Sequence, residues 1–147
     1  MTIIDRSALL FYPQEKIYAL VADIERYPEF LNGCVAATII DRGPETVVAQ
    51  LQLSRAGISH SFITQNTMLP YERIELALVD GPFEYFAGYW AFNALGDDAS
   101  KVSLQLDFKM RGGLINAAAG RLFDKVALDL VDAVVKRAST LYGRPSP

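Results

Sequence analysis

The sequence predicts an α+β fold in which a curved seven-stranded antiparallel sheet wraps around one long C-terminal helix. Six segments of alternating apolar residues are separated by short turn signals, which is typical of an antiparallel meander. A β-like segment and a short helix precede these six strands, and an amphipathic helical pattern follows them. A long amphipathic helix that follows such a sheet must bury its apolar stripe against the sheet.

The N-terminal part predicts one strand and one short helix. The strand spans Thr2–Tyr12, and Pro13 suits the first turn of a helix because its missing N–H is not needed there. The apolar stripe of this helix consists of Ile17, Leu20, Val21 and Ile24. Proline inside a helix removes a donor and clashes with the preceding turn. Tyr27-Pro28 therefore predicts the end of the helix, with one short helical turn up to Leu31.

The remaining elements are read from periodicity and turn signals. The six meander strands are predicted over Cys34–Ile40, Thr46–Leu53, Ile58–Met68, Arg73–Val79, Glu84–Ala94 and Lys101–Met110. From Leu114 to Leu141 the apolar residues fall at helical spacing, which predicts the long helix. We expect a single ligand-binding domain over residues 1–142 and a disordered tail over residues 143–147.

Composition and motifs limit the classes of function. The chain has 147 residues, which suits one domain with a substantial core. Its single cysteine, Cys34, allows no internal disulfide, and its single histidine, His60, adds little to a metal site. No phosphate-binding loop or nucleophile elbow is present, so we expect a protein that is not an enzyme and holds no metal. Without a signal peptide or a membrane-spanning run, the expected location is the cytoplasm.

Charge is distributed unevenly along the chain. Residues 1–100 carry 6 basic and 13 acidic side chains, whereas residues 101–147 carry 8 basic and 4 acidic ones. The basic residues of the C-terminal part include Lys109, Arg111, Arg121, Lys125, Lys136 and Arg137. This part could contact RNA or an anionic lipid surface, or it could simply be a solvated helix face of mixed charge.

Alternation on the strands predicts what lines the interior. Val102, Leu104, Leu106 and Phe108 share one face of the last strand, and Phe86, Gly88, Trp90 and Phe92 share one face of the strand before it. Gly88 leaves space on the inner face for a ligand or a close helix. His60, Thr64 and Asn66 lie on an otherwise apolar face and need partners when buried. An apolar cavity with a few polar groups is typical of a small-molecule site, and an ordinary core is the alternative.

Four stretches resemble one known family. They are DIERYPEFL (23–31), FITQN (62–66), DGPFEYFAGYWAF (80–92) and VSLQLDFKM (102–110). They are similar to the coenzyme Q-binding branch of the START-like superfamily, also called the polyketide cyclase/dehydrase-like family, which includes the bacterial ribosome association toxin. The resemblance extends from Ile4 to about Leu141, and it implies the helix-grip fold. One departure is that the family commonly reads FLPWC where this chain reads FLNGC (30–34).

The resemblance implies a hydrophobic tunnel for a lipid-like molecule. Ubiquinone or a related polyprenylated quinone is the leading ligand, bound without any other cofactor by a carrier or chaperone that supports respiration. Tyr27, Phe30 and Leu31 are candidate lid residues, and His60, Thr64 or Asn66 are candidates to orient the head group. The candidate ligand-binding residues are Tyr27, Phe30, Leu31, Leu51, Leu53, His60, Phe62, Thr64, Phe83, Phe86, Trp90, Phe92, Leu104, Leu106, Phe108, Phe123, Val126, Ala127 and Leu130.

Two other functions stay open. One is a ribosome-associating, toxin-like protein that blocks the joining of ribosomal subunits through its basic C-terminal third. The other is a polyketide cyclase-type enzyme, which would require a polar pair inside the tunnel. We expect a monomer that binds no DNA, lies in the cytoplasm and contacts the inner membrane only peripherally and transiently.

Overall fold

The observed elements follow the predicted order. A computed structural model describes residues 2–112 and 114–143 of the chain. The strands are β1 (Thr2–Leu10), β2 (Cys34–Arg42), β3 (Thr46–Arg55), β4 (Ile58–Leu69), β5 (Arg73–Asp80), β6 (Phe83–Gly96) and β7 (Ala99–Met110). The helices are α1 (Gln14–Ala22), a 3₁₀ helix (Ile24–Glu29) and α2 (Leu114–Tyr142). The predicted α+β fold is confirmed, while residues 144–147 of the predicted tail lie outside the described residues.

The seven strands form one antiparallel sheet in the order β1-β7-β6-β5-β4-β3-β2. Consecutive strands from β2 to β7 are neighbours, as in a meander. β1 joins the far edge by pairing with β7, where Thr2 lies opposite Phe108 and Leu10 lies opposite Ser100. The pairing of β2 with β3 shifts register twice, and such bulges bend and twist a strand. The sheet therefore curves and presents a concave inner face.

The core lies between this inner face and α2. The helix packs against β1, β3, β4 and β7. Its buried residues recur every three or four positions, as an amphipathic helix requires, and they are Ala119, Leu122, Phe123, Val126, Ala127, Val131, Val134 and Ala138. On β7 every second residue from Ser100 to Phe108 is buried. The two periodicities thus meet in a single core.

The first helix ends earlier than predicted. The prediction that Pro28 ends it is wrong, since α1 stops at Ala22 and Asp23 has already left the helical backbone region with φ −83° and ψ 68°. Pro28 lies within the following 3₁₀ helix. The fixed φ of proline is compatible with that tighter helix, which is used in short connecting pieces.

Gly88 has a different role from the predicted one. A Cβ atom at this position would lie 2.2 Å from the backbone oxygen of Gln105 and 2.6 Å from Cδ2 of Leu106. Gly88 therefore leaves no free space for a ligand. Its missing side chain allows β6 and β7 to approach each other closely.

The 3₁₀ helix is connected to α2 by one carboxylate. Glu29 Oε2 accepts a hydrogen bond of 2.9 Å from Arg26, and Glu29 Oε1 accepts one of 3.0 Å from Arg137 of α2. The Arg137 guanidinium also lies 5.3 Å from the centre of the Phe30 ring. These hydrogen bonds, first from Arg26 and then from Arg137, hold the pKa of the Glu29 carboxyl below its usual value.

Replacing Gly88 with alanine tests the close approach of β6 and β7. We expect Gly88→Ala to lower the free energy of unfolding by about 1–3 kcal/mol, the usual range for overpacking a well-packed site. Urea unfolding followed by circular dichroism measures it. Gly112→Ala is the matched control, because a Cβ there meets no atom within 4 Å. Equal stabilities of the two variants would contradict this role of Gly88.

Replacing Glu29 with glutamine tests the connection between the 3₁₀ helix and α2. We expect Glu29→Gln to lower the thermal unfolding midpoint slightly at neutral pH, because both charge-assisted hydrogen bonds weaken. Since the carboxyl has a lowered pKa in the folded state, its stabilisation is present above the ordinary carboxyl pKa and is lost as the pH falls through the lowered value. The midpoints of wild type and variant should therefore converge in acid.

Glu25→Gln is the control for this measurement. The Glu25 carboxylate lies in the same turn but pairs with Arg42 of β2, at 3.7 Å, and not with α2. Hydrogen exchange at neutral pH should rise in residues 24–31 for Glu29→Gln more than for Glu25→Gln. A difference in midpoint that persists unchanged through acid pH would show that Glu29 acts through something other than its charge.

Candidate functional site

A cavity of about 90 Å³ lies between the inner face of the sheet, the 3₁₀ helix and α2. It is lined by aliphatic and aromatic side chains with only two buried polar ones. The lining consists of Val21, Ile24, Tyr27, Leu31, Ala49, Leu51, Leu53, Phe62, Thr64, Asn66, Ile74, Leu76, Phe86, Trp90, Leu106, Phe108, Phe123, Val126, Ala127 and Leu130. A small apolar space with few polar groups suits a hydrophobic ligand.

Most of the predicted ligand-binding residues lie around this cavity. They come from the 3₁₀ helix and the turn after it, from four strands and from α2, and the structure brings them together. They are Tyr27, Leu31, Leu51, Leu53, Phe62, Thr64, Phe86, Trp90, Leu106, Phe108, Phe123, Val126, Ala127 and Leu130. Whether they contact a ligand stays a prediction.

Five predicted residues lie elsewhere. His60 is half-buried at the start of β4, beside the β3–β4 turn and beyond the lining. The ring of Phe30 lies outside the cavity, 5.6 Å from the Tyr27 ring. Phe92 packs on Tyr18 and Trp90, and Leu104 is fully buried in the core. Phe83 lies outside the lining and packs on Phe62, Phe86 and Phe123, which belong to it. Alternation alone places a residue on a face, and it does not show how far along the strand the cavity extends.

Six lining residues were not in the list of candidate ligand-binding residues, although Asn66 was a candidate to orient the head group. They are Val21, Ile24, Ala49, Asn66, Ile74 and Leu76. Ala49 and Asn66 lie on strand faces that alternation already turns inward. The alternation of β5, with Ile74 and Leu76 on one face and Glu75 and Ala77 on the other, is the signal that would have identified two more.

Aromatic rings occupy one end of the interior. Phe83 lies 4.7 Å from Phe123 and 5.1 Å from Phe86 between ring centres, and Phe62 lies 5.2 Å from Phe123. Phe108 packs on both Phe83 and Phe86. Such tilted and edge-to-face pairs are favourable arrangements. The cluster fills space that a larger ligand would need.

Two side chains give the cavity its polarity. On the inner face of β4, the Thr64 hydroxyl donates a hydrogen bond of 2.9 Å to Asn66 Oδ1. Tyr27 is the titratable group in the lining, and its hydroxyl donates to the backbone oxygen of Val21 at 2.5 Å. Burial raises the pKa of Tyr27 well above its ordinary value, so this phenol stays neutral. The described lining therefore carries no charge at neutral pH.

Cys34 lies near the cavity without the features of a reactive thiol. It is buried, and its Sγ is 3.6 Å from the backbone oxygen of Ala36. Burial raises the pKa of the Cys34 thiol to about 11, which disfavours the nucleophilic thiolate. Among the described residues, no three His, Cys, Asp or Glu side chains lie close enough together to hold a metal ion.

A helix that crosses a bilayer needs about 20 predominantly apolar residues. Within residues 2–112 and 114–143, no helix is both long and apolar enough to cross a bilayer.

Curated relatives match almost the whole chain. The ribosome association toxin RatA of Pseudomonas aeruginosa is 42% identical over 142 residues, which cover 97% of this chain and 99% of the relative. The protein of the same name in Escherichia coli K12 is 39% identical, over 95% of this chain and 88% of the relative. A mitochondrial coenzyme Q-binding protein COQ10 homolog B of Xenopus laevis is 22% identical, over 94% of this chain and 58% of the relative.

Solved structures share the fold at low identity. An aromatase/cyclase, Zhui, from Streptomyces superposes with a TM-score of 0.82 at 15% identity, over 94% of this chain and 93% of that one. A START superfamily protein from Mycobacterium smegmatis gives a TM-score of 0.77 at 22% identity, over 95% and 98%. The family described as polyketide cyclase / dehydrase and lipid transport matches residues 10–135. The chain therefore belongs to the polyketide cyclase / dehydrase and lipid transport family.

Proposed function

We propose that the protein binds a hydrophobic, lipid-like molecule in the cavity between the sheet and α2. The observation that carries this proposal is the lining itself, which is apolar except for the Thr64–Asn66 pair. Ubiquinone or a related polyprenylated quinone is the leading candidate, and a carrier or chaperone role in respiration is the matching function. The similarity to a protein named for coenzyme Q binding supports this choice.

Burial of the tail would dominate the affinity. Each buried CH₂ contributes about 0.8 kcal/mol, so two or three isoprene units supply on the order of 10 kcal/mol before costs. Association and side-chain ordering offset much of this gain. The head group then needs only a few polar contacts for its orientation.

The present cavity is smaller than such a ligand requires. Its volume of about 90 Å³ lies below the roughly 300–1,000 Å³ of typical small-molecule sites. Binding therefore requires side chains to move, and the aromatic cluster around Phe62 and Phe123 fills the adjoining space. We propose that these rings shift when a tail enters, and that the segment around Phe30 and Leu31 acts as a lid.

The absence of charge in the described lining supports binding without catalysis. Thr64 and Asn66 do not titrate, and the Tyr27 phenol is neutral and donates to Val21. A cyclase-type reaction would need an acid or a base positioned in the cavity. Fold similarity to an aromatase/cyclase does not supply one.

The first test combines lipid analysis with an occluded variant. We expect a prenylated lipid in organic extracts of natively purified protein, detected by mass spectrometry. Decylubiquinone should bind to the wild type and quench Trp90, the single tryptophan of the chain, which lines the cavity. Ala127→Phe places a ring in the cavity and should weaken binding by tenfold or more, about 1.4 kcal/mol.

His60→Ala is the matched control, because His60 lies on the same strand face outside the lining. Its affinity for decylubiquinone should stay within about twofold of wild type, which is less than 0.5 kcal/mol. Protein that purifies without lipid and ignores added decylubiquinone would overturn the proposal. Equal binding by Ala127→Phe and wild type would place the site elsewhere.

A second candidate function is association with the ribosome, with interference in subunit joining. The names of relatives at 39–42% identity over nearly the whole chain favour it. Three of the predicted basic residues are engaged in ion pairs, namely Lys109 with Glu84, Lys125 with Asp129 and Arg137 with Glu29. Arg111 and Arg121 are exposed, make no ion pair within the described part of the chain, and line one groove where β7 meets α2. This groove is the proposed contact to RNA phosphates.

Sedimentation tests this second function. We expect the protein to co-sediment with ribosomal subunits at 50 mM salt and to dissociate steeply as salt rises, because phosphate contacts release counterions. The double variant Arg111→Ala, Arg121→Ala should lose co-sedimentation. Arg6→Ala, Arg55→Ala removes two exposed arginines elsewhere and should retain it. No binding at low salt and an unchanged 70S fraction would count against this function.

A further inference from the structure

The cavity contains one polar feature, the hydrogen-bonded side chains of Thr64 and Asn66. Thr64 and Asn66 keep only 8% and 3% of their surface exposed, and both point into a lining that is otherwise apolar. Polar side chains in such a place are costly unless their hydrogen-bonding groups are satisfied. Each donor and acceptor of the pair therefore needs a hydrogen-bond partner.

The hydrogen bond inside the pair determines which group is left over. The Thr64 hydroxyl donates to Asn66 Oδ1 at 2.9 Å, so the amide oxygen is engaged and the amide NH₂ keeps two donors. Within residues 2–112 and 114–143, the Asn66 side chain makes no other hydrogen bond. In the same residues, the one buried side-chain nitrogen or oxygen without a hydrogen bond is Arg73 Nε, which lies 3.2 Å from Glu75 Oε1 in an ion pair. The Asn66 NH₂ group is therefore not fully enclosed by protein atoms. The space next to it is the cavity that Asn66 lines.

The position of the pair gives the cavity two unlike ends. Asn66 lies opposite Val47 of β3 and Leu76 of β5, while Phe62 lies four residues away on the same face of β4. At about 3.3 Å per residue, this separation is roughly 13 Å. Phe62 belongs to the aromatic cluster, so an amide donor lies at one end and apolar rings lie at the other.

We propose that Asn66 donates a hydrogen bond to a carbonyl oxygen of the ligand, so that the cavity prefers a quinone to its quinol. This inference rests on the proposed function. A quinone oxygen only accepts, which matches the free NH₂ group. A quinol oxygen that accepts from this NH₂ group still carries its own proton, and the oxygen of the same planar amide, although it keeps one lone pair, points in a different direction. Burying that unpaired proton in an apolar cavity weakens quinol binding.

The same geometry orients the ligand. With its carbonyl at Asn66, the ring lies between β3 and β5, and the tail extends along β4 toward Phe62 and Phe123 of α2. Thr64 acts as a positioning residue, because its hydroxyl holds the amide with the NH₂ group toward the cavity. The head group is then selected by a donor that is fixed before binding.

Three probes that each carry the same decyl tail test the preference for quinone over quinol on the full chain. They are decylubiquinone, decylubiquinol kept under argon, and the decyl dimethoxytoluene that lacks both ring oxygens of the carbonyls. Calorimetry should show the quinone binding about tenfold more tightly than either other probe, the effect expected of one neutral hydrogen bond. Asn66→Leu should reduce quinone affinity to the level of the carbonyl-free probe and leave that probe unchanged.

Thr64→Val and Gln65→Leu complete the design. Thr64→Val should reduce the preference for quinone over quinol, because the amide is then free to turn its oxygen toward the ligand. Gln65 lies between the two residues and is exposed on the outer face, so Gln65→Leu should keep the full preference. If Asn66→Leu fails to fold, the affinities of the three probes for the wild type and for Thr64→Val still test the preference for quinone over quinol.

The outcomes separate this inference from the proposed function. Equal or tighter binding of the quinol, or an Asn66→Leu variant that binds quinone like wild type, overturns the role of Asn66 while leaving the cavity as the binding site. Wild-type protein that binds none of the three probes overturns the proposed function itself.

Discussion

The whole arrangement depends on one helix covering the concave face of a seven-stranded sheet. α2 buries its apolar stripe against four of the strands, and this contact joins the two ends of the described chain into one core. A helix is only about 10–12 Å wide with its side chains, so it cannot fill the full concavity of a curved sheet. Large aromatic residues take up part of the remaining volume, and the rest is the cavity.

Part of the core contributes to stability alone. Leu104 and Val134 are fully buried and lie outside the lining, whereas Leu53 and Phe108 are equally buried and also face the cavity. The residues that face the cavity lie at the end of α1, on the 3₁₀ helix and the turn after it, on strands β3 to β7 and on the middle of α2. On the side that faces the cavity, these residues have no neighbouring atoms. They therefore lose the dispersion contacts that a filled core would give them. A hydrophobic ligand would supply those contacts.

Much of the fold could be predicted from local patterns, and the site could be predicted less completely. Turn residues and period-two alternation gave six strands, and helical spacing gave α2. The pairing of β1 with β7 leaves no local signal, since it depends on how the sheet curves. His60 and Asn66 share one strand face, yet only Asn66 lines the cavity, and the alternation of β4 does not distinguish the two. The role of Gly88 could not be predicted from its own strand either, because it depends on how closely β7 approaches β6.

The β1–β7 pairing also bears on how the molecule forms. Thr2 lies opposite Phe108, so β1 leaves the ribosome well before its partner strand β7 has been synthesised. Contacts at such sequence separation raise the contact order and slow folding, because the loop-closure entropy is lost before the contacts compensate for it. Until β7 is synthesised, its neighbour β6 has an unpaired edge. Nascent chains of this fold thus pass through a period in which an apolar strand edge is open to other chains.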